Sequence, residues 1–84
     1  MTDKSAALAL LQNALDRCRD EDIRTPEVFA ALDFLLVLSP VAWPFDQFRD
    51  ALNKNRTGSQ GWEIERHWQI LNASLNGIRR VVNG

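Results

Sequence analysis

The sequence predicts an all-α fold, a compact four-helix bundle in a single domain over residues 1–84. Apolar residues recur at spacings of three and four in the first and last thirds of the chain. No run alternates with period two for long enough to argue a strand, and the prolines fall where helices begin or end. The helices are expected at about 3–19, 26–38, 44–53 and 60–82. The apolar mass is concentrated between Val28 and Phe45, where Asp33 is the one charge, and the other elements are read as packing around it.

Helix 1 rests on Leu8, Leu11, Leu15 and Cys18, spaced three, four and three, with Leu10 and Ala14 widening the stripe. Thr2 or Ser5 is expected to cap it, and Asp3 suits the positive end of the helix dipole. The polar run from Arg19 to Arg24 ends it.

Thr25-Pro26-Glu27 opens helix 2. Threonine is a good N-cap, proline at the first helical position loses no intrahelical bond, and an acid in the first turn complements the dipole. Ser39-Pro40 closes it, because the residue before a proline is pushed out of the helical region. From Val28 to Leu38 the segment has 11 residues with Asp33 in the middle, about half of the roughly 20 needed to cross a bilayer. A helix apolar on nearly every side needs cover on every side, from the rest of the bundle or from a second copy of the chain.

Pro44 opens helix 3, which carries Phe45, Phe48 and Leu52 at helical spacing, with Trp43 placed to seal the end of the core. Asn55 to Gly61 is a mobile loop by composition. Helix 4 gives the clearest period: Ile64, Trp68, Leu71, Leu75, Ile78 and Val82 step by four, three, four, three and four. Ser59 is a candidate cap. Gly77 inside this helix implies a kink or the close approach of another backbone.

An 84-residue chain that is 45% apolar and 25% charged is one globular domain rather than a disordered tail. One cysteine excludes an internal disulfide or a multi-cysteine metal site and fits a reducing cytoplasm. No signal peptide or lipidation motif is legible, and size alone suggests a bacterial, phage or mobile-element protein. The net charge of −1 divides unevenly: residues 1–53 carry five bases against nine acids, and residues 54–84 five bases against two acids. Attraction between the two halves within the fold is the plainer expectation, and a basic binding patch the alternative.

No residue pattern names a reaction. His67, the one histidine, has Glu63 a turn before it, but a zinc site needs three or four ligands and no second histidine or cysteine pair exists. Cys18 lies on an apolar stripe, where thiols are usually inert packing. No catalytic, metal-binding or cofactor-binding residue is therefore assigned, and no cofactor is expected. Asp33 is expected to face solvent or to pair with an arginine, with a specificity role at a subunit interface as the sharper alternative.

Two surfaces remain. Trp62, Arg66, Ile70, Arg79 and Val81 lie off the main seam of helix 4, and aromatic and apolar residues off the seam mark a second contact surface. They are the expected partner-binding residues. Lys54, Arg56 and Arg80 are candidate anion or nucleic-acid contacts, although the loop before helix 4 matches no phosphate-binding motif and the chain is slightly acidic. The expected function is a non-enzymatic protein–protein interaction module, cytoplasmic and homodimeric through helix 2 or helix 4. The alternative is a nucleic-acid-associated accessory factor using the basic C-terminal half.

Overall fold

The computed structural model describes residues 3–39, 41–54 and 61–83. Four helices follow one another: α1 (Lys4–Arg17), α2 (Pro26–Val37), α3 (Trp43–Lys54) and α4 (Gly61–Asn83). All boundaries fall within two residues of those expected. Among the described residues there is no strand, and no helix is long and apolar enough to cross a membrane. The loop residues 55–60, Pro40 and the proposed caps Thr2 and Ser59 lie outside the described residues.

Start signals explain the helix ends. Asp3, not Thr2 or Ser5, caps α1: its Oδ1 accepts from the Ala6 N–H at 2.8 Å, whereas Ser5 lies inside the helix. Thr25 caps α2, accepting from the Val28 N–H at 3.3 Å, and Pro26 is the first helical residue. Helix α3 starts one residue before its proline, because the Ala42 carbonyl accepts from both Phe45 and Asp46.

The helices form two pairs, α1 with α2 and α3 with α4, which meet chiefly where α1 lies on α4. At roughly 1.5 Å per residue, the 23 residues of α4 run about 34 Å, matching the longest dimension of the molecule, 35 Å. Helix α4 is the spine. Its expected seam is buried at the centre, with Leu71, Leu75 and Ile78 at 0% exposure, and half-buried at Ile64, Trp68 and Val82. Arg19 caps Trp68 from outside, 4.8 Å above the ring, while reaching Glu65 at 2.8 Å.

Ile23 completes the core from the connection between α1 and α2, in the run read as wholly polar; it is 1% exposed. Asp22 and Arg24 on either side of it pair with each other at the surface. Asp33 is exposed and paired with Arg49 of α3, the plainer of its two expected fates.

Helix α2 is only partly covered within this chain. Val28, Ala31, Leu32 and Leu35 are buried, Phe29, Phe34 and Leu36 are half-buried, and Val37 and Leu38 stand 84% and 48% exposed. This chain covers one side of α2 and leaves another open.

Candidate functional site

Successive residues of an α-helix turn by about 100°. Trp62, Arg66, Ile70, Ala73, Gly77 and Val81, stepping four, four, three, four and four, therefore form a line along α4 distinct from its buried seam. Helix α3 lies antiparallel beside this line, with Trp43 and Pro44 over Gly77 and with Asp50 and Lys54 near Trp62. Two separate hollows lie along this α3/α4 boundary, hereafter the trough.

The first hollow, about 290 Å³, is lined by Trp62, Arg66, His67 and Ile70 of α4 and by Asp50, Ala51 and Lys54 of α3, with Glu63 at its edge. The second, about 360 Å³, lies between Trp43 and the stretch of α4 from Ala73 to Val81. An exposed tryptophan stands beside each hollow: Trp62 is 66% exposed and Trp43 56%. The Trp43 ring reaches 3.6 Å from where a Cβ on Gly77 would stand, so it lies on α4 without sealing the core. Gly77 admits this corner of α3, and α4 runs through it as one uninterrupted helix. The approach that the glycine implied is made by the side chains of Trp43 and Pro44.

Comparison with models of protein families, with characterised proteins and with solved structures finds no match to this chain.

The first hollow holds two acids, Asp50 and Glu63, and two bases, Lys54 and Arg66, whereas Arg80 is the one charged residue lining the second. Among the described residues two ion pairs join the acidic half to the basic half: Arg19 with Glu65 at 2.8 Å, where the acidic half supplies the base, and Lys54 with Asp50 at 3.0 Å, one turn apart on α3. The Arg79 guanidinium donates to the Gln12 side chain of α1, a neutral partner. Arg66 and Arg80 have no hydrogen-bond or ion-pair partner among the described residues. His67 is half-buried in the first hollow, and its Nδ1 is buried and makes no hydrogen bond. Among the described residues no three His, Cys, Asp or Glu side chains are grouped to hold a metal ion. Cys18 is buried in the core, and desolvation pushes its thiol pKa up, opposite to the shift a reactive thiolate needs.

Of the residues singled out from sequence, Trp62, Arg66 and Ile70 come together in the first hollow, with Lys54 on its opposite wall. Val81 and Arg80 belong to the second hollow. Arg79 stands apart, turned toward α1. Arg56 lies outside the described residues. Trp43 joins the site although sequence reasoning placed it at the core edge. The signal for it was Gly77, which marks where the corner holding Trp43 lands on α4.

A second apolar concavity, about 390 Å³, lies between α1 and α2. Ala6, Ala7, Ala30 and Ala31 line it together with Leu10 and Phe34, and Glu27 is its one charged residue.

Proposed function

We propose that this chain is a non-enzymatic helical module that acts by binding another protein through the α3/α4 trough. The observation that carries the reading is the pair of exposed tryptophans, Trp43 and Trp62, one beside each hollow of a trough that also presents Ile70 at 38% exposure. Exposed aromatic side chains in a concavity are characteristic anchors of protein interfaces, where they bury a large area at small entropic cost. The buried Cys18 and the unoriented His67 give no support to acid–base or nucleophilic chemistry. A cytoplasmic setting, supported by the single reduced cysteine, belongs to the same proposal.

The test uses affinity capture from the source cells with the native chain and with Trp62→Ala, both verified as folded by circular dichroism and urea midpoint. A protein that binds the native chain is then purified and its affinity measured. The expected result is a Kd at least about tenfold weaker, roughly 1.4 kcal/mol, for Trp62→Ala. Equal affinity for both chains contradicts the reading.

Self-association through the α1/α2 face is a second reading, favoured by Val37 at 84% exposure beside the nearly uncharged concavity of Leu10 and Phe34. Light scattering over a dilution series tests it. A dimer abolished by Phe34→Glu supports it, and a monomer at every concentration excludes it.

A further inference from the structure

We infer that the occupant of the α3/α4 trough is an acidic amphipathic helix of a partner protein, laid lengthwise along α4. The inference rests on the trough being the partner site and names the kind of segment it takes.

Shape argues for a helix. The line Trp62, Arg66, Ile70, Ala73, Gly77, Val81 repeats the three-and-four stepping that α4 uses on its buried side to pack against its own bundle. A stripe of this period on a helix surface is matched along its whole length by another helix, whose side chains enter the same ridges and grooves. Ala73 in the middle of the line is small enough to permit close approach, Gly77 is already taken by the Trp43–Pro44 corner of α3, and the exposed rings of Trp62 and Trp43 stand beside the first and second hollows. The centres of the two hollows, near Arg66 and Gly77, are 11 residues apart on α4. That is about 16 Å, or three helical turns, so the occupant presents apolar anchors about 11 residues apart.

Charge argues for acidity. Arg66 and Arg80 stand one beside each hollow and find no partner among the described residues, whereas Asp50 on the opposite wall is already paired with Lys54. Carboxylates flanking the occupant's anchors would meet these two guanidinium groups in planar, charge-assisted contacts, which favour correct register and fast association. A nucleic-acid strand fits less well. Its phosphates would run continuously past Asp50 and Glu63, whereas a helix can set carboxylates against Arg66 and Arg80 alone and uncharged residues against those two acids.

The test is a selection from a displayed library of random peptides of about 16 residues, long enough for both anchors, on the full-length native chain. Binders are then counter-screened on Trp62→Ala and on Arg66→Glu, each verified as folded. The expected result is a consensus of net negative charge with apolar residues about three turns apart, weakened at least about tenfold by either substitution. Binders that depend on Trp62 but are neutral, basic or without that spacing overturn the acidic helix while leaving the trough as a protein site. A library without Trp62-dependent binders overturns both. A labelled single-stranded oligonucleotide is titrated in parallel, and binding of it that depends on Trp62 and Arg66 assigns the trough to nucleic acid instead.

Discussion

The Cβ of Pro44 lies 3.1 Å from the point where a Cβ on Gly77 would stand, so α3 meets α4 at a contact that only glycine admits without displacement. Pro44 is buried at the second position of α3, and its ring cannot retreat without moving the helix start. Gly77→Ala sets two effects against each other. Helix propensity favours alanine by about 1 kcal/mol, whereas overpacking costs about 1–3 kcal/mol. The rigid neighbour gives the second effect the advantage. Urea denaturation is expected to show Gly77→Ala less stable than the native chain and Gly77→Val less stable still; a more stable alanine variant would mean that the α3 start yields freely.

Burial ranks the core positions. Leu75 is 0% exposed on the spine helix and Ile23 is 1% exposed from outside any helix. Each truncation to alanine is expected to cost about 2–5 kcal/mol, a large part of the stability of a domain this size. Urea midpoints check this, and a loss under about 1 kcal/mol for Ile23→Ala would contradict its place in the core.

How much of this was legible in the sequence follows from what each residue's signal depends on. The four helices were legible because caps such as Thr25-Pro26 and periods such as Leu71, Leu75 and Ile78 are local. Ile23 was not, because a lone apolar residue among charges has no period; only the path of the chain turns it inward. The grouping of Trp62, Arg66 and Ile70 was legible from helical spacing. The joining of Trp43 to the same trough depends on how α3 lies across α4, a tertiary fact that Gly77 hinted at without naming the partner.

Cys18 reports on opening of the core. Its burial hides the sulfur, and the raised pKa keeps it protonated near neutrality. Labelling by a disulfide reagent at pH 8 is expected to be at least about a hundredfold slower in buffer than in denaturant. Equal rates would show that the α1 end of the core is open.

Asp22 gives a pH signature. Hydrogen bonds from the Arg24 side chain, and then from its backbone N–H, lower the carboxyl pKa from 3.8 to about 2. A depressed carboxylate pKa contributes stability that is present above the unfolded value and is lost as pH falls through the folded one. The pair lies at the surface, so the effect is small. Any gap in urea midpoint between the native chain and Asp22→Asn is expected at pH 5 and to close as the pH falls from about 4 to about 2. A gap that persists at pH 2 would contradict this pairing.

The most direct test of the central claim, that the α3/α4 trough is the partner surface, is photo-cross-linking in the source cells. A benzophenone amino acid replaces Trp62, Ile70 and, as an exposed position away from the trough, Asp20 in turn. The account predicts one discrete adduct shared by positions 62 and 70 and absent from position 20. Adducts from position 20 alone, or the same adducts from all three positions, would contradict it.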